Sequence, residues 1–341
     1  MDMDLSFLTA TEWLGKPAWM WVMFLAVVIA LMAFDLGVLE KRRKRKLGPD
    51  DDGVMGVGQS LWLSAFYIAI ALIYGAWVWL TLGRESGIEF YTGFALEKAL
   101  ALDNVFVISL IFAFFAIPLK LQRRVLLWGI LGVIVLRAIM IGLGTALVTQ
   151  FDWVLWIFGA FLLFTGIKML RDGDTEHDFS SNKLLIWMKK RLRITDELHG
   201  ERFTVKQMVN GRLKTFATPL LLALVMVETA DVVFAVDSIP AIFAITQDPF
   251  IVYTSNIFAI LGLRALYFAL AAAVHRFKYL QPALSLVLVF IGLKIFYSQI
   301  WGKLDPAISL GVTLSLLAGG VIVSLIKTKE EPPMNEPPAS V

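Results

Sequence analysis

Residues 227–246 read VETADVVFAVDSIPAIFAIT, an apolar stretch fit for a membrane interior that nevertheless carries Glu228, Asp231 and Asp237. Its flanks extend the run to about 216–246, which as a straight helix would be roughly 45 Å long, well over the ~30 Å hydrocarbon core of a bilayer. A break, tilt or kink is therefore expected here. Pro240 removes the hydrogen bond to the carbonyl of Val236 and crowds its turn, which would free a backbone oxygen beside Asp237.

The rest of the chain has the same character. Of its 341 residues 58% are hydrophobic and only 17% charged, and the mean hydropathy is +0.73. No ordinary soluble domain has this mixture; lipid is the solvent for most of the chain. Windows of about 20 apolar residues place spans at 18–39, 60–81, 88–116, 124–149, 152–170, 216–246, 251–274, 278–298 and 305–326, so the expected fold is an all-α, polytopic transmembrane helix bundle of about nine spans. The first run is preceded by Asp2 and Asp4 and no basic cluster, which argues against a cleaved signal peptide.

Lys41 to Lys46 form an unbroken basic run after the first span, and Lys120, Arg123 and Arg124 follow the third. Basic loops stay on the cytoplasmic side. Alternation then puts 171–215, His275–Lys278 and the C-terminus inside and the N-terminus outside, with Trp128, Trp153 and Trp156 as interfacial anchors. These basic clusters are explained by orientation, so no nucleic-acid partner is expected. The expected divisions are 1–59 (first span, basic loop), 60–87 (second span, outer loop), 88–170 (repeat unit one), 171–215 (cytoplasmic loop), 216–298 (repeat unit two), 299–326 (last span) and 327–341 (Pro-rich disordered tail). In the loop, NKLLIWMKKRLR suits a short interfacial helix, and the Asn210-Gly211 pair suits a hairpin turn.

The two repeat units share their polar punctuation. Glu97 and Asp103, six apart and followed by Asn104, match Asp231 and Asp237, six apart and followed by Ser238. ILGVIVLRAIM with Arg137 matches FAILGLRALYF with Arg264, and LLFTGIKML with Lys168 matches LVFIGLKIF with Lys294. Three spans per unit is odd, so the second copy enters the membrane from the opposite side, giving an inverted repeat of three plus three helices, as in transporters.

Five carboxylates, Glu97, Asp103, Glu228, Asp231 and Asp237, lie in these spans. Each costs about 2.5–3.5 kcal/mol at mid-membrane, so together they need a cation, polar neighbours or protons to offset on the order of 12–17 kcal/mol. Glu228 shares a helix face with Asp231, Asp231 with Ser238, and Glu97 with Asn104. Asp103 and Asp237 point about 120° away from Glu97 and Asp231. Regular helices cannot bring all five to one ion, so either the helices unwind or there are two subsites. Oxygen ligands without cysteine favour a hard divalent ion such as Mn²⁺, Mg²⁺ or Ca²⁺. The bland alternative is that Arg137, Arg264, Lys168 and Lys294 pair with the acids and lock the bundle; the two lysines, nearer helix ends, would snorkel. Asp35 is either a gate residue or an interfacial charge. His177, His199 and His275 fall in loops and are expected to be solvated.

The absence of cysteine excludes thiol redox chemistry, thiolate metal sites and iron–sulfur clusters within the chain. No organic cofactor is expected and the chain is not expected to be an enzyme.

The stretches ALEKALALDNVFV at 95–107, LQRRVLLWGILGVIVLRAIM at 121–140, FDWVLWIFGAFLLFTGIKML at 151–170 and VETADVVFAVDSIPAIFAITQDPFIVYTSNIFAILGLRALYF at 227–268 resemble the TerC family of integral membrane proteins. The resemblance covers almost the whole chain. It implies a LysE-like inverted-repeat fold, Mn²⁺ export across a bacterial inner membrane, and a family name linked to tellurite resistance. It also implies an acidic pathway at Glu97, Asp103, Asn104, Glu228, Asp231, Asp237 and Ser238, with Asn256 in support. The expected activity is thus export of Mn²⁺ as substrate by alternating access at a midplane carboxylate site, with protons as a candidate coupling ion. A Ca²⁺ or other cation exchanger, and a non-transporting scaffold that helps metallate or insert exported proteins, are the alternatives. The sequence gives no oligomeric state.

Overall fold

The computed structural model describes residues 11–34, 57–151, 153–172, 183–195, 197–209, 212–270, 280–302 and 304–327. Asp35, the basic run 41–46, His177 with the acidic residues around it, the Asn210-Gly211 turn, His275 and the tail after Lys327 lie outside the described residues. A two-residue hairpin, β1 (Glu12–Trp13) and β2 (Lys16–Pro17), leads into α1 (Ala18–Ala33). Then come α2 (Val57–Leu82), α3 (Arg84–Phe114), α4 (Leu119–Gln150) and α5 (Trp153–Asp172). A short α6 (Lys183–Arg191) precedes the antiparallel pair β3 (Thr204–Val209) and β4 (Arg212–Ala217), whose register closes on Val209 opposite Arg212 as the expected hairpin requires. The chain ends with α7 (Pro219–Phe243), α8 (Pro249–Leu261), α9 (Leu263–Leu270), α10 (Leu280–Trp301) and α11 (Pro306–Lys327).

The fold is a polytopic helical membrane bundle. In lipid every backbone polar group must be paired within the segment, and helices do this for apolar runs. Seven described helical stretches are long and apolar enough to cross a membrane; α1 is shorter over its described part, and α3 is more charged than the rest. Two Asp-Pro pairs start helices: Asp248 accepts from the amide of Phe250 at 3.0 Å, and Asp305 from that of Ala307 at 2.7 Å.

The continuous stretch Pro249–Ala269, made of α8 and α9, is 94% buried, whereas the other six are buried over at most half their length. It forms the axis of the bundle. Trp21, Phe24, Tyr74 and Phe90 pack around it, Phe24 against Tyr253 of α8, with Tyr74 and Phe258 rings 4.5 Å apart. Around it α4 lies against α7 as α8 lies against α3, while α3 meets α7, α4 meets α8, and α5 runs along α10. Exchanging the first unit for the second maps these pairings onto one another.

The expected break does not fall in the acidic helices. Both α3 and α7 run unbroken, α7 through Pro240. The interruption is instead at Gly262, between α8 and α9, where Lys98 Nζ of α3 donates to the carbonyl of Ala259 at 3.1 Å. Loop α6 also differs in part from an interfacial helix, since Leu185 and Met188 are buried against protein while Ile186 and Trp187 are exposed.

Lys16 pairs with Asp248 at 2.8 Å, tying the start of α1 to the α7–α8 turn. Arg124 at the start of α4 pairs with Glu201 at 2.6 Å. With no native cysteine to interfere, these two ends can be read directly. In intact cells a single cysteine at Glu12→Cys should react with a membrane-impermeant maleimide and one at Glu201→Cys should not, until the membrane is opened. The reverse pattern would mean that the basic-loop orientation is wrong.

Candidate cation site

Glu97 stands in the middle of α3 and Asp231 in the middle of α7, the two positions that the expected repeat pairs, and both face Arg137 of α4. Arg137 Nη1 donates to Glu97 Oε1, to Ser238 Oγ at 3.1 Å and to Asn256 Oδ1 at 3.1 Å. Its Nη2 reaches Asp231 Oδ1 at 3.3 Å and its Nε reaches Asp231 Oδ2 at 3.4 Å. Asn256 Nδ2 closes the ring by donating to Glu97 Oε2 at 3.1 Å. Arg137 is 1% exposed, Glu97 2%, Ser238 2%, Asn256 0% and Asp231 7%. Four oxygen-bearing side chains from α3, α7 and α8 thus form a closed cage, filled by a guanidinium from α4.

Regular helices explain the selection. Asp231 and Ser238 share a face of α7 and both reach the cage. Asp237, one residue before Ser238, is turned away and hydrogen-bonds with Thr165 of α5, half-buried. The five acids therefore do not converge, and among the described residues no three His, Cys, Asp or Glu side chains form a metal cluster. The Asp103 side chain and all of Asp35 lie outside the described residues.

A cleft borders the cage at Asp231, on the side where α3 ends and α4 begins. It is lined by Asn104, Asp231 and Arg264 among apolar neighbours such as Val133 and Phe234. Buried Asn104 Oδ1 has no hydrogen-bond partner among the described residues. Glu228, one turn before Asp231 on α7, rests its carboxylate on Gly132 of α4; a Cβ there would stand 2.1 Å from Oε1. Its Oε2 is also buried without a hydrogen-bond partner among the described residues.

The remaining cations divide. Lys168 is exposed, as snorkelling requires. Lys294 does not snorkel: it is buried in α10, donates to Ser309 Oγ of α11 at 3.1 Å and faces Glu89 of α3. Reasoning from the acids alone passed over Lys98 and Glu89. A signal was available for both, because each places a charge inside the third apolar run, Lys98 beside Glu97 at mid-run and Glu89 near its start.

A bundle of membrane helices with a buried charged centre and a cleft to one side defines the class, a polytopic integral membrane protein. The family model for integral membrane proteins of the TerC family matches residues 82–332, and the chain belongs to that family. It is 46% identical over 307 residues to an uncharacterized membrane protein of Rickettsia felis, covering 90% of this chain and 97% of that one. An uncharacterized membrane protein of Myxococcus xanthus is 43% identical over 318 residues, 93% and 95% of the two chains. The protein of Escherichia coli K12 named putative membrane-bound redox modulator Alx is 45% identical over 318 residues, 91% and 95% of the two chains. No solved structure matches.

Proposed function

We propose that the protein exports Mn²⁺, or a similarly hard divalent cation, across a bacterial inner membrane by alternating access. The observation that carries this reading is the closed oxygen cage of Glu97, Asp231, Ser238 and Asn256. Carboxylates, an amide oxygen and a hydroxyl are the donor set of hard divalent ions, held at ~2.0–2.6 Å. The cage lies between the equivalent helices of an inverted repeat, where alternating-access transporters place their substrate. The reciprocal pairings of α4 with α7 and α8 with α3 support that repeat. Asn104, which lines the cleft, and Glu228, a turn before Asp231, form the approach, Asp237 a second station beside α5, and protons are the coupling ion in this reading. The redox role in the name of the Alx relatives is not adopted, since a chain without cysteine carries out no thiol–disulfide exchange of its own.

Purified protein in sealed vesicles should carry radioactive Mn²⁺ across the membrane with saturable kinetics, and Mg²⁺ and Ca²⁺ as competitors would rank its selectivity. Vesicles with correctly inserted protein that leak Mn²⁺ no faster than empty ones would favour the scaffold alternative.

A further inference from the structure

On the reading that the cage binds the transported cation, we infer that Arg137 is that cation's internal surrogate: its guanidinium occupies the cage when no ion is bound and must leave when the ion enters. Of the six cage oxygens that would ligate a divalent ion, five are already engaged by one guanidinium, through Nη1, Nη2 and Nε, and the sixth, Glu97 Oε2, accepts from Asn256. Ion and guanidinium cannot use these oxygens together. Two carboxylates with Arg137 carry a formal charge of −2 + 1 = −1; with a divalent ion in its place they carry −2 + 2 = 0; with both they would carry +1, two cations crowded into one dry cage. The empty cage without Arg137 would leave −2 in a membrane interior, which is the costliest of the four states.

This gives the arginine a transport role. A carrier that has released its ion must return without it, and carboxylates that are neither protonated nor paired resist that step. A tethered cation that re-enters the cage removes the obstacle without being carried across. The displaced guanidinium also needs an anion. Glu228 supplies one, because it lies a turn before Asp231, its carboxylate rests on α4, the helix that bears Arg137, and its Oε2 has no hydrogen-bond partner among the described residues.

The test is Arg137→Gln, studied in detergent and in sealed vesicles. Removing a competitor that fills the cage most of the time should tighten Mn²⁺ binding at least about tenfold, since apparent affinity scales with the fraction of open sites. Added Mn²⁺ should raise the unfolding temperature of this variant more than that of wild type. Exchange of Mn²⁺ against Mn²⁺ needs no empty return, so the ratio of exchange to net flux should rise at least about tenfold. Weaker Mn²⁺ binding, or exchange and net flux lost in equal proportion, would show that Arg137 only braces the bundle and would overturn the inference. Wild type that neither binds nor moves Mn²⁺ would instead overturn the functional reading beneath it. If Arg137→Gln does not accumulate, Arg137→Lys keeps a charge but cannot bridge both carboxylates. Tighter Mn²⁺ binding in that variant supports the surrogate role, and unchanged or weaker binding removes it.

Discussion

Asp231→Asn is expected to lower Mn²⁺ transport at least about tenfold, the least that a lost metal-shell interaction usually costs, and to destabilise the purified protein by about 3–5 kcal/mol. Both effects come from one contact. Asp231 receives Nε and Nη2 of Arg137 at 3.4 and 3.3 Å, and an amide in its place turns an NH₂ group toward the guanidinium or leaves one donor unmet. Asp237→Asn should behave differently, because Asp237 is half-buried and shares a hydrogen bond with Thr165 rather than an ion pair with Arg137. Its stability cost should stay near ~1 kcal/mol, the worth of an ordinary hydrogen bond. Unfolding in detergent measures one quantity and vesicle flux the other. Residues in one network are not additive, so the double change Asp231→Asn with Arg137→Gln decides between roles. If it regains stability and also moves Mn²⁺ at the wild-type rate, Asp231 is a structural partner and not a ligand.

The sequence showed which helices matter but not how their side chains would be shared out. Glu97 and Asp231 meet as their equivalent places in the repeat suggest, and Ser238 accompanies Asp231 because seven residues bring a helix back to the same face. Arg137 was legible only as one of two readings, ligand neutraliser or bundle lock, and geometry alone places it inside the cage. Pro240 misled: its missing amide suggested a local break, but it lies near the end of α7 and the helix continues to Phe243. At the actual break, Gly262, the carbonyl of Ala259 accepts from Lys98, 161 residues distant and brought there by the packing of α3 on α8. No local pattern carries that information. Lys294 was misjudged for a similar reason, since α10 extends to Trp301 and α11 folds back to cover it with Ser309.

Enlarging Gly166 or Gly292 should loosen the bundle, and the two changes should cost nearly the same. Without lipid-driven hydrophobic force between helices, membrane bundles rely on close approach at small residues. A Cβ at Gly166 of α5 would stand 2.9 Å from the carbonyl oxygen of Ser285 and 3.0 Å from the amide nitrogen of Val289 on α10. A Cβ at Gly292 of α10 would stand 3.0 Å from the carbonyl oxygen of Gly159 and 3.0 Å from the amide nitrogen of Leu163 on α5. Val289 Cγ2 and Leu163 Cγ stand at 2.8 Å as well, but the backbone atoms cannot be relieved by any rotamer, so the helices must part. Adding the repeat offset between Gly166 and Gly292 to Gly159 and Leu163 gives Ser285 and Val289, so the interface is self-complementary in the manner of a two-fold contact. Gly166→Ala and Gly292→Ala should therefore each lower stability by about 1–3 kcal/mol, the usual cost of overpacking. One outward shift of α5 from α10 accommodates both methyl groups, so the double variant should cost clearly less than the sum. Unfolding of the purified variants in detergent measures all three, and fully additive or strongly unequal losses would mean that the two halves do not share a single reciprocal seam.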